Sequence, residues 1–112
     1  MSHAETVFNN PVYDDQRVGK INNFTGADLT TNTYYFRPGQ QIDYPARPTG
    51  DQVYVVLSGQ GQFHLNNGDE AVVDVAPGSI IYVPKGVQYR AVNNGQSELI
   101  CTEVCHPSNG KL

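Results

Sequence analysis

Short runs of β-branched and aromatic residues, alternating with polar ones, recur between glycines and prolines along the chain. Alternation with a period of two is typical of half-buried strands, and the breaks come too often for a long helix. The pattern predicts seven strands, at residues 31–36, 52–57, 61–65, 71–75, 79–83, 88–92 and 98–105. Seven short strands at this spacing favour an all-β sandwich or barrel of two antiparallel sheets.

Two Asn-Asn-Gly triplets, at residues 66–68 and 93–95, follow predicted strands. Asn and Gly readily adopt the positive φ of a tight turn, so each triplet predicts a reversal of the chain. The N-terminal residues give a weaker pattern. Within them, residues 6–8 and 17–21 are candidates for additional edge strands.

Length and charge exclude several classes of protein. The chain has 112 residues, the size of one domain, and carries 11 acidic against 7 basic residues for a net charge of -4. Because the basic residues are scattered singly, we expect no nucleic-acid and no membrane partner. No apolar run approaches the length of a spanning helix, and the N-terminus has no signal-peptide pattern, so we expect a cytoplasmic protein. Cys101 and Cys105, four residues apart along a strand, are too distant for a disulfide and are expected to be free thiols.

Two groups of glycines, prolines and polar residues have a regular spacing. The first group is Gly39, residues 45–47, Gln52 and Gly59, and the second is Gly78, residues 84–86, Tyr89 and Asn93. These spacings resemble the two motifs of the cupin family, and the match covers about residues 31–107. The resemblance implies a double-stranded β-helix, or jelly-roll barrel, as one domain over residues 1–112 with an N-terminal edge segment over residues 1–30.

The metal-binding positions of that family carry other residues in this chain. Cupins typically hold a divalent metal with three His and one Glu, and the matching positions here are Pro45, Arg47, Gln52 and Tyr89. A proline side chain cannot ligate, an arginine is a permanent cation, and a neutral amide or phenol is a poor ligand at neutral pH. The resemblance therefore implies a cupin without the usual site, and we expect no metal and no cofactor.

Three of the four replacements are polar, whereas an abandoned cavity would more simply fill with Val or Leu. We therefore predict a pocket for a small-molecule ligand, lined by Arg47, Gln52, Tyr54 and Tyr89. Tyr54 joins the set because side chains alternate along a strand, so an inward Gln52 implies an inward Tyr54. Arg47 would anchor an anion through two parallel hydrogen bonds, and the other three would supply directional hydrogen bonds.

Tyr54, Tyr89 and Glu103 are the candidates for catalytic acid and base residues. A tyrosine whose pKa is lowered by Arg47 would serve as an acid or a base, and a buried Glu103 paired with Arg47 would be a candidate base. The last predicted strand has two alternating faces, so the direction of Glu103 stays open. One face carries Cys101, Glu103 and Cys105, which the family register turns inward, and the other carries Ile100, Thr102 and Val104.

Three functions are compatible with this pocket. The first is a metal-independent isomerase, epimerase or cyclase, because cupins without metal ligands resemble sugar-nucleotide epimerases and cyclisation proteins of polyketide pathways. The second is a non-catalytic module that binds a small molecule. The third is a metal-dependent oxygenase or isomerase with unfamiliar ligands such as Gln52, Glu103 and a cysteine. A homodimer is also expected, since residues 6–21 are available to pair with the open sheet edge of a partner.

Overall fold

Nine antiparallel strands and one short 3₁₀ helix form the regular structure of residues 3–44, 50–66 and 68–111, the parts of the chain that the computed structural model describes. The strands are β1 (Gly19–Thr25), β2 (Thr30–Phe36), β3 (Gln41–Tyr44), β4 (Gln52–Ser58), β5 (Gly61–Asn66), β6 (Glu70–Val75), β7 (Ile80–Val83), β8 (Gln88–Val92) and β9 (Leu99–Cys105), followed by the 3₁₀ helix Pro107–Lys111. Among the described residues, no helix has the length and hydropathy of a membrane span.

The strands form two sheets, which confirms the predicted all-β class. The large sheet has the order β1-β2-β9-β4-β7, and the small sheet has the order β3-β8-β5-β6. Their facing sides enclose a core rich in aromatic rings, in which Tyr54 lies 5.0 Å from Phe63 between ring centroids. Because tyrosines take part in this core, hydroxyl groups are buried with the rings, and each of them needs a hydrogen-bond partner.

All seven strands predicted from the alternating pattern are present, each within one residue of its expected ends. The prediction missed β3, which has only four residues between Gly39 and Pro45. Its alternation of exposed and half-buried side chains is too short to stand out from the neighbouring turn. The candidate edge strand at residues 17–21 is present in part, as the start of β1. Residues 6–8 are not a strand, because this segment turns and Asn9 donates to the carbonyl of Thr6 at 3.1 Å.

The N-terminal segment packs against the large sheet of the same chain. It is therefore not available to pair with a partner's sheet, as the sequence had predicted for the dimer. The buried Tyr35 hydroxyl donates to the carbonyl of Val7 at 2.8 Å, and Tyr13 packs edge-on against the Tyr35 ring. Residues 19–21 then pair with β2 as part of β1. The need of the buried Tyr35 hydroxyl for an acceptor explains why this segment is held within the same chain.

Asn93, the last residue of the second motif, connects two separate segments of the backbone. Its fully buried amide donates to the carbonyls of Phe36 and Ser97, and its side-chain oxygen accepts from the backbone N–H of Gly95. The side chain thus fixes the end of β2 to the turn after β8. Its place in the motif is explained by this structural role.

We predict different costs for alanine at the two ends of the first motif. Gly39 and Gly59 have nearly the same left-handed φ, +86° and +83°. At Gly39 a Cβ would meet nothing within 4 Å, so Gly39→Ala should cost only the strain of that φ, about 1 to 2 kcal/mol. At Gly59 a Cβ would overlap the carbonyl oxygen of Glu98, so Gly59→Ala should cost roughly 3 kcal/mol or more.

Urea unfolding of the two variants measures both losses. Because the φ angles match, Gly39→Ala is the control for backbone strain alone. Equal losses would show that the close approach of Gly59 to Glu98 does not limit the choice of residue.

Candidate functional site

A cavity of about 210 Å³ opens between the two sheets at one end of the core. Both sheets and the 3₁₀ helix contribute to its wall, and most of the contributed side chains are polar. The residues that line it are Lys20, Thr30, Asn32, Tyr34, Tyr44, Gln52, Tyr89, Glu103, Cys105, Pro107 and Asn109. Two of the predicted pocket residues, Gln52 and Tyr89, are in this wall, together with the predicted base Glu103.

Strand register places the acidic group at the centre of the cavity floor. Across the large sheet, Glu103 on β9 is paired on one side with Asn32 on β2 and on the other with Tyr54 on β4. Residues paired in this way direct their side chains to the same face of the sheet. Glu103 is 6% exposed, so the inward face of the last strand is the one that carries Cys101, Glu103 and Cys105. The structure therefore shows which face of β9 points inward, which the sequence had left open.

The Glu103 carboxylate accepts three hydrogen bonds, all from neutral groups. Oε1 accepts from the amide of Asn32 at 3.0 Å and from the hydroxyl of Tyr34 at 3.3 Å. Oε2 accepts from the hydroxyl of Tyr54 at 3.0 Å. These bonds satisfy a charged group whose burial would otherwise cost several kcal/mol.

Two further tyrosines extend this network to the cavity wall. The hydroxyl of Tyr89 lies 2.5 Å from that of Tyr54, and the hydroxyl of Tyr44 lies 2.9 Å from that of Tyr34. We call Tyr89 and Tyr54 the Tyr89 arm, and Tyr44 and Tyr34 the Tyr44 arm. Each arm connects a side chain of the small sheet to one oxygen of the Glu103 carboxylate.

The environment of the inner tyrosines favours their neutral form. Burial raises the pKa of Tyr54 well above its ordinary value, and the neighbouring Tyr89 and Glu103 raise it further. Burial also raises the pKa of Tyr34, with Glu103 as the next cause. The expectation of a lowered tyrosine pKa is therefore wrong for Tyr54, which acts as a hydrogen-bond donor and not as a base at neutral pH.

Gln52 presents its amide to the cavity from an otherwise buried side chain. Its side chain is 4% exposed and lines the cavity beside Cys105, its register neighbour on β9. Among the described residues, the structure gives its amide no hydrogen-bond partner. An amide in this position presents a donor and an acceptor to whatever fills the cavity.

The cavity also contains residues that the sequence did not point to. Lys20 on β1 pairs in register with Tyr34, and its ammonium lies 5.4 Å from the centre of the Tyr34 ring, at the exposed rim. Asn32 and Tyr44 belong to the wall as well. Asn32 meets Glu103 because β2 pairs with β9, and Tyr44 lies on β3, the strand that the sequence pattern missed.

Arg47 and Pro45 lie outside the described residues, so the predicted anchor role of Arg47 stays a prediction. The chain on either side of them is described, and Tyr44 and Gln52 both line the cavity. The two acidic residues nearest to this segment have partners of their own, and Asp43 accepts from Arg90 at 2.5 Å. Asp51 accepts from the backbone N–H of Lys85 at 2.7 Å.

The donor set of the cavity does not fit the metal site of the family. Gln52 and Tyr89 fill two of the four ligand positions with a neutral amide and a phenol, which are poor ligands for Fe, Ni, Mn or Zn. Within residues 3–44, 50–66 and 68–111, no three His, Cys, Asp or Glu side chains are grouped to hold an ion. His64 instead contacts Glu70, and His106 contacts Ser108, both away from the cavity.

Solved structures of several proteins are similar to this fold. An uncharacterized conserved protein with a double-stranded β-helix domain from Klebsiella pneumoniae is 24% identical, with a TM-score of 0.87 over 97% of this chain and 93% of that one. An RmlC-like cupin protein from Desulfovibrio desulfuricans is 20% identical, with a TM-score of 0.76 over 92% and 96% of the two chains. The capsular polysaccharide assembling protein CapF from Staphylococcus aureus is 16% identical, with a TM-score of 0.76 over 83% of this chain and 29% of that one.

No curated protein matches the sequence. The family model of the cupin domain, in contrast, matches residues 32–105, which contain most of β2, all of β3 to β9 and both motifs. The double-stranded β-helix predicted from the motif spacing is therefore confirmed, and the chain belongs to the cupin family.

Proposed function

We propose that this cupin binds a small anionic or oxygen-rich molecule in the cavity without the help of a metal. The observation that carries the proposal is the amide of Gln52, which opens onto the cavity from a side chain only 4% exposed and has no hydrogen-bond partner among the described residues. An amide placed in this way offers a donor and an acceptor to a ligand in the cavity.

The size and lining of the cavity support a ligand of about the size of a monosaccharide or a hydroxy acid. A volume of 210 Å³ corresponds to roughly seven water molecules in the liquid, which leaves no room for a nucleotide. The rings of Tyr44 and Tyr89 offer apolar faces, and their centroids are 5.4 Å apart. The ammonium of Lys20 at the rim would attract an anionic group of the ligand.

Two functions are compatible with this site, a metal-independent enzyme and a non-catalytic binding module. The connection of Tyr89 through Tyr54 to Glu103 favours the enzyme, because a proton taken from a ligand at Tyr89 could be passed to the carboxylate. Such a transfer would serve a metal-independent isomerase, epimerase or cyclase. The neighbour CapF, of which this chain covers 29%, has been solved with the inhibitor 3-isopropenyl-tropolone, and we take a small molecule as the ligand in either case.

We predict that Gln52→Met separates binding from stability. Methionine has a similar volume and no polar group, so the free energy of unfolding should stay unchanged or rise by up to about 1 kcal/mol. Binding of small sugars, polyols or hydroxy acids, found by thermal shift and measured by calorimetry, should weaken roughly tenfold or more.

The matched control is Gln62→Met, at a glutamine that bonds to Asp74 on the other face of the small sheet. This variant should bind as the wild type does. A Gln52→Met variant that loses stability and keeps its affinity would assign Gln52 to the core and refute the proposed site.

We also propose that the protein is a homodimer, paired through the outer face of the large sheet and not through the N-terminal segment. On β7, Ile80 is 71% and Tyr82 is 56% exposed, and their register neighbours on β4 are Val55 and Val53. These outward positions carry no charge, whereas the outer face of the small sheet carries Asp43, His64, Glu70, Asp74 and Arg90.

A second copy of the chain is the partner that fits this uncharged face. Two copies that each carry a net charge of -4 repel one another, and they approach with the least repulsion where neither is charged. The same apolar patch on both copies is self-complementary about a twofold axis.

We also propose the cytoplasmic location that the sequence led us to expect. The two free thiols agree with a reducing compartment.

We predict that Ile80→Glu dissociates the dimer. Sedimentation at micromolar concentration should give the mass of two chains for the wild type and of one chain for the variant, because two like charges would face each other. Val72→Glu is the control, since Val72 is 53% exposed on the outer face of the small sheet and should leave the dimer intact. A wild-type mass of one chain would contradict the proposal.

A further inference from the structure

We infer that the cavity selects ligands with a single anionic end, such as hydroxy acids and sugar acids, and binds them with that end at Lys20 and the hydroxyl groups toward Glu103. The inference deepens the proposed function and rests on it, since it concerns the ligand of the same cavity. It follows from the positions of two opposite charges in the cavity wall.

Lys20 is directed to the mouth of the cavity by strand register. On β1 it pairs with Tyr34, whose buried ring lines the cavity, and its ammonium lies 5.4 Å from the centre of that ring. A cation over an aromatic face is attracted to it, so Tyr34 holds the ammonium at the rim. The ring itself is fixed, because its hydroxyl is bonded to both Tyr44 and Glu103.

Glu103 lies on the floor of the cavity, separated from Lys20. It pairs with Asn32 on β2, whereas Lys20 pairs with Tyr34, two residues further along the same strand. Lys20 and Glu103 are thus two strands and two residues apart, which puts about 12 Å between their Cα atoms. They do not pair with each other, and among the described residues neither has an oppositely charged partner.

This separation gives the cavity a positive rim and a negative floor. An anionic group of a ligand is attracted at the rim and repelled at the floor, and the repulsion is screened less because the floor is buried. The groups that bond to the Glu103 carboxylate, Asn32, Tyr34 and Tyr54, are all neutral and do not cancel its charge.

Hydroxyl groups carry no net charge and reach the floor without this repulsion. A ligand with one anionic end is therefore held in a single orientation, whereas a ligand with an anion at each end must place one of them against Glu103. Specificity at this site then depends on Lys20, a residue outside both motifs of the family.

Three compounds with the same six-carbon chain test this orientation on the wild-type protein. Glucitol is neutral, gluconate has a carboxylate at one end, and glucarate has a carboxylate at both ends. In calorimetry at low salt, gluconate should bind about threefold to fivefold more tightly than glucitol, and added salt should reduce the difference because Lys20 is exposed. Glucarate should bind more weakly than gluconate, since its second carboxylate faces Glu103.

Lys20→Met should remove the preference for gluconate and leave the affinity for glucitol unchanged. Methionine keeps an apolar stem over the Tyr34 ring and removes only the charge. Lys20→Arg restores a cation and should keep the preference. Arg17→Met is the matched control, since Arg17 is also exposed and its loss changes the net charge equally, but it does not line the cavity. This control should bind all three compounds as the wild type does.

Glu103→Gln should bring the affinities for gluconate and glucarate together, because it removes the charge at the floor. If this variant does not fold, the wild-type comparison of the same two compounds still tests the floor. Tighter binding of glucarate than of gluconate to the wild type would overturn the inference.

Equal affinities of the wild type for glucitol and gluconate would also overturn it. So would a preference for gluconate that survives in Lys20→Met, and its loss in Arg47→Ala would then make Arg47 the anchor. In each of these cases a ligand binds and the proposed function stands. If neither these compounds nor glucose binds, the proposed function fails and this inference fails with it.

Discussion

A carboxylate buried between two sheets determines the chemistry of this cupin. Glu103 accepts hydrogen bonds from one amide and two phenols, with Asn32 and Tyr34 on β2 and Tyr54 on β4. Donors on β2 and β4 can meet the carboxylate only because β9 lies between those two strands. The order of the large sheet is thus what makes the buried carboxylate tolerable, because it brings donors to both of its oxygens.

The family scaffold is retained while its chemical centre differs. Gly39, Gly59 and Asn93 keep the turns and the connection between β2 and β8 that the two motifs require. Gln52 and Tyr89, at the positions of family ligands, line the cavity, but its carboxylate lies on β9, outside both motifs. Among the described residues, the tyrosines and Asn32 form a connected hydrogen-bond network around that carboxylate.

Local patterns predicted the strands and part of the site, and pairing between distant strands decided the rest. Alternation along β4 was enough to turn Gln52 and Tyr54 inward, because a period of two needs only one strand. Alternation alone could not show which face of β9 points inward, because both faces are rich in apolar or β-branched residues. Asn32 and Tyr34 meet Glu103 because β2 pairs with β9, about 70 residues further along the chain. The sequence carries no local signal of that pairing.

Neutron diffraction from a deuterated crystal at neutral pH observes the proton directions themselves. The account predicts a deuteron on Tyr54 directed to Oε2 of Glu103 and a deuteron on Tyr34 directed to Oε1. A deuteron on either tyrosine that points away from Glu103 would contradict it.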